Sequence, residues 1–316
     1  MGRPAPRFKD FIGHKKTVDQ LRRTLDGAKQ LEEPFPHSLF IGPSGVGKTQ
    51  LAKALAAEYG TSCHETFGGV SQVTLAGTFL NLQFGDFVFV DEAHGLVDAA
   101  QELMYRVMDD WSVPPLEKGK SNDGNAVESK AVQPCSIILA TDQPGRLRRA
   151  LRRRVAYEVL LSFYPVKELK EIVEKMCADK DIEITAQAAR MIAAISRGVP
   201  GTALNHVGML RLRHPDVEQV QLGKGEVDDY CEAMGIDSTG LTPRDRQYIG
   251  FLRDVNPASK ESLALSLGVD VAEICRFIEP FLVREKLVRI SSGGRRLTDK
   301  GRSIATSFIV DSEANV

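Results

Sequence analysis

The chain is poor in the features that mark several broad protein classes. Its five cysteines, Cys63, Cys135, Cys177, Cys231 and Cys275, are widely scattered, with no Cys-x-x-Cys pair. That spacing argues against a zinc site or a disulfide framework and favours a reducing cytosol, so a cytoplasmic protein is expected. No apolar run approaches the roughly 20 residues needed to span a bilayer, and the N-terminus MGRPAPRFKD lacks a signal peptide's apolar stretch. No membrane partner is expected. Charge of neither sign dominates: 41 Lys and Arg face 42 Asp and Glu. A net charge of −1 gives no global sign of nucleic-acid binding, so any such contact must come from a local patch. What remains is ordinary globular composition, 42% hydrophobic and 26% charged, in 316 residues. That length suggests about two or three domains.

Against this background one octapeptide stands out, Gly42-Pro43-Ser44-Gly45-Val46-Gly47-Lys48-Thr49, which fits Gly-x-x-x-x-Gly-Lys-Thr without a departure. It follows the apolar run Leu39-Phe40-Ile41 and opens a helical pattern carrying Leu51, Ala54 and Leu55. Strand, glycine loop and helix in that order are what a phosphate-binding loop requires. Glycines let successive backbone N–H groups converge on phosphate oxygens at the positive end of a helix. The binding residues are Gly45, Val46 and Gly47 of the loop with Lys48, Thr49 and Gln50 of the helix start. Lys48 reaches the β- and γ-phosphates, and the Thr49 hydroxyl suits Mg²⁺. ATP with Mg²⁺ is the expected ligand.

About forty residues further on, Phe87-Val88-Phe89-Val90 runs into Asp91-Glu92. Four apolar residues ending in paired carboxylates read as a buried strand with acids at its C-terminal end, the edge where open α/β sheets bind ligands. Asp91 is expected to hold Mg²⁺, and Glu92 to polarise the attacking water. A third apolar run, Ser136 to Ala140, ends at Thr141-Asp142. Thr141 either closes a strand or senses the γ-phosphate. Six arginines then fall within nine positions, Arg146, Arg148, Arg149, Arg152, Arg153 and Arg154. Such a run forms a solvated basic face or, in a ring-forming ATPase, lends one side chain to a neighbouring subunit's site.

From Leu160 to Ser238 the pattern is helical. Leu169, Ile172, Val173 and Met176 form one stripe, and Ala188, Met191, Ile192 and Ile195 another. Thr242-Pro243 reads as a helix cap and first helical residue. Ser262 to Gly268 followed by Val271 to Arg284 reads as helix, glycine turn, helix. Leu287 to Ile290 and Leu297-Thr298 then flank a turn, Ser291 to Arg296, as a β-hairpin wing. Arg289, Arg295 and Arg296 are expected to place positive charge at its tip and contact DNA phosphates. The same module also serves protein interaction, and the charge balance from Gly240 onward, twelve Lys and Arg against ten Asp and Glu, does not decide. The tail after Ser307 is expected to fray.

These motifs, in this order, resemble the AAA+ ATPases and, more narrowly, the RuvB family of Holliday-junction branch-migration motors. The resemblance runs from Phe8-Lys9-Asp10-Phe11-Ile12-Gly13 to Arg295-Arg296-Leu297-Thr298. It includes Gly85 to His94, Glu168-Leu169 after Ser162-Phe163-Tyr164, and Ser196-Arg197-Gly198-Val199-Pro200. Near the C-terminus it takes in Glu279-Pro280-Phe281-Leu282-Val283. It implies an α/β P-loop NTPase fold with a helical lid and a C-terminal winged helix, divided at 1–160, 161–238 and 239–316. It also implies adenine contacts from Phe11, Ile12 and Tyr164, sensor 1 at Thr141, and a trans-acting finger at Arg154, with Arg152 as the alternative. The implied partners are branched or duplex DNA, copies of the chain in a ring of six, and a RuvA-like junction-binding protein.

Two departures from the family pattern stand out. Gly201 occupies the sensor 2 arginine position. The segment Trp111 to Gln133, where the family's partner-docking hairpin lies, is polar around Lys118 to Asn125 and has little apolar surface to bury. The reading is an ATP-hydrolysing DNA motor. Its rivals are an ATPase that remodels a DNA-bound protein without translocating, and an ATP-switched DNA-binding adaptor that hardly hydrolyses.

Overall fold

The computed structural model describes residues 6–115, 128–213 and 221–313. Two compact units divide the chain: residues through Glu168 together with Val199–Gly201, and Leu169–Gly198 with Thr202 onward.

In the first unit, helix α1 (Lys15–Gln30) precedes strand β1 (Ser38–Ile41), whose phosphate-loop segment leads into α2 (Lys48–Tyr59). Strand β2 (Cys63–Phe67), α3 (Gln72–Leu80), β3 (Phe87–Asp91) and α4 (Asp98–Asp110) follow. Strands β4 (Ser112–Val113) and β5 (Lys130–Ala131) pair antiparallel. Thus the base of the expected hairpin exists, whereas Lys118 to Asn125 lies outside the described residues. Strand β6 (Ser136–Thr141), α5 (Arg149–Arg152) and β7 (Tyr157–Leu160) complete the unit.

The five-stranded sheet has the order β2-β3-β6-β1-β7, with every pairing parallel. A parallel strand covered on both faces needs apolar side chains on both, which is why β3 and β6 are continuous apolar runs. Phe87 to Val90 and all six residues of β6 are buried. Packed on them are Leu75 and Phe79 of α3 and Leu103, Met104 and Val107 of α4. Because all strands run the same way, β1, β3 and β6 deliver Gly42, Asp91 and Thr141 to one edge; Gly42 N–H donates to Thr141 O at 3.1 Å. Asp86, almost fully buried, fixes the start of β3 by accepting from Ser62 N–H (3.0 Å) and Gln83 N–H (2.9 Å).

The second unit takes in α6 (Val166–Ala178) from Leu169 on, β8 (Glu183–Ile184), α7 (Ala186–Ile195) and α8 (Pro200–Leu212) from Thr202 on. Strand β9 (Gln221–Leu222) pairs parallel with β8, and α9 (Lys224–Met234) follows. The apolar stripes of α6 and α7 face inward, with Leu169, Val173, Ala188 and Ile192 fully buried. Helix α10 (Pro243–Asp254) begins at a capping box: Thr242 Oγ1 accepts from Asp245 N–H, and Asp245 accepts from Thr242 N–H. Helix α11 (Lys260–Leu267) ends at Gly268. The next helical stretch joins α12 (Val271–Glu273), a π-helical turn at Ile274–Ile278 and α13 (Glu279–Arg284). Tyr248, Leu252, Leu263, Ile274 and Leu282 form the core here.

The wing differs from the sequence expectation. Strands β10 (Val288–Ser291) and β11 (Gly294–Leu297) pair through Ser291↔Gly294, so the turn is only Ser292-Gly293. Arg295 and Arg296 therefore lie within a strand and not at the tip. Residues 308–313, where a frayed tail was expected, continue helix α14 (Asp299–Glu313), and residues 314–316 lie outside the described residues.

Candidate nucleotide site

The phosphate loop turns on glycines at left-handed backbone angles, Gly45 (φ 78°) and Gly47 (φ 102°). Side chains rarely adopt that region, which accounts for glycine at these two positions; at Gly42, the motif's first glycine, a Cβ would instead lie 2.2 Å from Leu161 O. Gly47 caps α2, which places Lys48 and Thr49 in its first turn. The Lys48 side chain is nearly buried, and its Nζ donates to Gly42 O and Pro43 O, both at 2.9 Å. Burial lowers the Lys48 pKa, while Asp91, Glu92 and Asp142 pull it back up. One lysine is thus set in the field of three carboxylates. A cationic side chain beside unpaired helix N–H groups fits a polyphosphate. Thr49, next in α2, and Asp91, at the end of β3, carry hard oxygen donors of the kind Mg²⁺ prefers.

The sheet edge supplies the rest. Asp91 closes β3, and its Oδ1 accepts from Glu92 N–H at 3.0 Å. Glu92 sits in the left-handed region (φ 48°, ψ 43°) with an exposed side chain. Such a conformation costs a non-glycine residue about 1 kcal/mol, strain of the sort held at functional sites. Gly68 abuts it: a Cβ there would lie 2.1 Å from Glu92 O.

Thr141 is fully buried at the end of β6. Its Oγ1 accepts from Gln143 N–H at 2.9 Å and lies 3.0 Å from His94 Nδ1. The same Nδ1 is 3.2 Å from Glu92 Oε2 and 3.6 Å from Asp142 Oδ1. The sequence reading missed His94 as a site residue. Its only signal was a polar residue two positions after Glu92; its neighbours become visible only once β3 and β6 are paired. Glu92, His94 and Asp142 also bring ligand atoms within 4.8 Å of one another, and the hydrogen bonds around Thr141 account for that grouping.

The expected base-binding residues gather beside the loop. A Cβ on Gly47 would lie 3.5 Å from Phe11 and 3.8 Å from the Tyr164 hydroxyl. Tyr164 is nearly buried and meets the His14 ring edge-on at 4.7 Å. Burial raises the Tyr164 pKa and lowers that of His14. Ile12 is half-buried, Val46 buried and Gln50 exposed.

At the sensor 2 position, Gly201 N–H donates to Gly45 O at 3.0 Å. A Cβ on Gly201 would stand 3.1 Å from Gly45 Cα, so the absence of a side chain lets the two backbones touch. Both finger candidates are held within the chain. Arg154 grips Asp109 with Nε at 2.8 and 2.9 Å, and its guanidinium lies 4.8 Å from the Tyr105 ring centre. The hydrogen bonds from Arg154 hold the Asp109 carboxyl below its usual range. Arg152 pairs with Glu158 at 2.8 Å.

Comparison with known proteins agrees with this geometry. Residues 3–161 match the model of the Holliday junction DNA helicase RuvB P-loop domain, and residues 238–306 that of the RuvB C-terminal winged helix domain. The chain belongs to the RuvB family. It is 33% identical over 297 residues to the Holliday junction branch migration complex subunit RuvB of Thermotoga petrophila, covering 92% of this chain and 88% of that one. A Synechococcus RuvB is likewise 33% identical over 307 residues, covering 94% and 87%. Among solved structures, the Thermotoga maritima RuvB Holliday junction branch migration motor is similar, with a TM-score of 0.80 and 32% identity. That match covers 96% of this chain and 98% of the other. RuvB membership fits the absence, among described residues, of any helix long and apolar enough to cross a membrane.

In the winged helix of this RuvB family member, Arg289 and Arg296 are cross-strand partners and both are exposed. Arg295, expected with them, turns the other way. Its Nε donates to Glu279 Oε1 at 2.7 Å, and Tyr248 Oη donates to the same oxygen at 3.0 Å. Glu279 is nearly buried, so this arginine neutralises an interior carboxylate.

Proposed function

We propose that this protein is an ATP-driven motor of Holliday junction branch migration. The observation that carries the reading is the meeting of Lys48, Asp91, Glu92 and Thr141 at one edge of a parallel sheet. In that arrangement Lys48 and the first turn of α2 bind the phosphates, and Phe11, Ile12 and Tyr164 border the base. Thr49 and Asp91 are the donors suited to Mg²⁺, which when bound neutralises charge on the phosphate oxygens. Glu92 orients and polarises the attacking water, and the Thr141 hydroxyl reports on the γ-phosphate.

Copies of the chain assemble in a ring, six by the family resemblance, in which Arg154 leaves Asp109 and enters the adjacent copy's site. Arg152 is the second choice for that role. The winged helix holds duplex DNA through Arg289 and Arg296 without reading sequence. The domains divide near residues 160 and 238, with a helical lid between the nucleotide domain and the winged helix. A RuvA-like junction-binding protein is the candidate partner of the segment that joins β4 and β5, against which stands the polar sequence of Lys118 to Asn125. The setting is the cytoplasm.

A synthetic four-way junction tests this directly. With ATP, the wild-type protein is expected to dissociate the junction, and Lys48→Ala is expected to abolish both nucleotide binding and dissociation. Junction movement at the wild-type rate by Lys48→Ala, or with no nucleotide, refutes the motor. One observation keeps a rival in play: Gly201 offers no cation to the nucleotide. An ATP-switched adaptor would show no DNA-stimulated phosphate release at any junction concentration, whereas the motor releases phosphate faster as junction is added.

A further inference from the structure

His94 makes the densest set of polar contacts at the sheet edge, and the reading above gives it no task. Its side chain is only 14% exposed. Around it the network assigns each proton. Arg146 donates to Gln143 Oε1 at 3.3 Å, and Gln143 Nε2 donates to Asp142 Oδ1 at 3.1 Å, which fixes the orientation of the amide. The same Gln143 Nε2 lies 3.4 Å from His94 Nε2. Since that amide nitrogen is a donor, the ring's Nε2 is the acceptor, and in neutral imidazole the proton then sits on Nδ1.

Nδ1–H faces two acceptors within hydrogen-bond distance, Thr141 Oγ1 at 3.0 Å and Glu92 Oε2 at 3.2 Å, with Asp142 Oδ1 further off at 3.6 Å. Thr141 Oγ1 already accepts from Gln143 N–H. A hydroxyl has two acceptor sites and one donor proton. With both acceptor sites taken by His94 and Gln143, the Thr141 proton has to be donated elsewhere, the state that suits a phosphate oxygen.

We propose that His94 is a positioning residue that ties the Glu92 carboxylate to the Thr141 hydroxyl, so that γ-phosphate occupancy at Thr141 sets where Glu92 stands. One N–H cannot serve two acceptors fully. While Thr141 donates to the phosphate, its lone pairs keep the His94 N–H, and the Glu92 carboxylate is left to the water. When the phosphate leaves, the Thr141 proton is no longer drawn there, and the His94 N–H turns to Glu92 and holds it back from the water. The role rests on the assignment of Glu92 to the water and Thr141 to the γ-phosphate.

The test combines steady-state phosphate release with the affinity for a fluorescent ATP analogue in His94→Ala, His94→Asn, His94→Gln, Thr141→Ala and the double variant His94→Ala/Thr141→Ala. Turnover by His94→Ala is expected to fall about 10- to 100-fold, the scale of a group misplaced by about an ångström. Nucleotide affinity is expected to stay within about two-fold, because His94 touches no phosphate-loop residue.

Asparagine places an N–H near the Nδ1 position and glutamine does not, so His94→Asn is expected to recover most of the turnover and His94→Gln little. The double variant is expected to be no slower than the slower single, the non-additivity of residues acting as one unit. Multiplying losses, equal rescue by asparagine and glutamine, a loss that follows weaker ATP binding, or turnover within about three-fold of wild type in His94→Ala each overturns the proposal. Glu92→Gln serves as the control. If it stops turnover while His94→Ala does not, only the His94 role fails; if it turns over normally, the Glu92 assignment fails and the His94 role with it.

Discussion

Charged side chains at the nucleotide edge of the first unit and in the core of the second are held in opposite ways. At the sheet edge of the first, Lys48, Asp91 and Glu92 are held near one another by backbone, through a glycine loop and the ends of parallel strands. Among the described residues none of the three forms an ion pair with a lysine, arginine or carboxylate; Glu92 meets the His94 ring at 3.2 Å and stays exposed. In the second unit, charges that look like surface patches in sequence are used inside. Arg295 neutralises Glu279, and Arg197 donates to Gly240 O at 2.9 Å, pairs with the buried Asp245 and stacks on Phe281 at 4.1 Å. A charge positioned by backbone is available for chemistry, whereas one matched by a buried opposite charge is part of the framework.

The sharpest way to break this contrast is to delete Arg295. Arg295→Ala strands Glu279 and is expected to lower stability by about 3 kcal/mol or more, read as a fall in the urea midpoint. Unchanged stability would return Arg295 to the surface. Next comes a pH effect confined to the first unit. His37 is pressed against Trp111, and its Nδ1 accepts from Ile137 N–H at 3.2 Å. Burial outweighs the opposing field of Asp109 and holds its pKa at about 4. The unfolded chain takes up this proton near pH 6.5 and the folded one only near 4. Stability from this group is therefore full above about pH 6.5 and declines as pH falls to about 4, by about 3 kcal/mol. The difference between wild type and His37→Gln in urea unfolding at pH 7 and pH 4.5 should reveal that loss. Smallest in stability, within about 0.5 kcal/mol, is Arg289→Ala with Arg296→Ala. That pair should instead weaken DNA binding and flatten its salt dependence by up to about two in log–log slope. A salt slope equal to wild type would move the wing to protein interaction.

Legibility in the sequence followed the same division. The phosphate loop and the acids Asp91 and Glu92 were readable because their placement is set by spacing along one backbone. The helix stripes and the Thr242 cap were readable for the same reason. Arg295 was not, because the pairing Ser291↔Gly294 shortens the turn to two residues and brings strand alternation into force. Neighbouring side chains on a strand then face opposite sides, so Arg296 stays out and Arg295 goes in. His94 was not readable either, since its partners on β6 and in the segment after it lie 47 to 49 residues away and meet it only through sheet pairing. The Asp109 grip on Arg154 spans 45 residues and was hidden likewise. Gly201 was noticed as a missing arginine, but only the structure brings its backbone against Gly45.

The central claim is that Glu92, at the strained turn after β3, drives turnover of a nucleotide held by Lys48. Phosphate release and ATP-analogue affinity measured side by side on wild type and Glu92→Gln, with a four-way junction present, test it most directly. Release at least about 100-fold slower with affinity retained is the expected result. Release by Glu92→Gln at the wild-type rate would contradict the account.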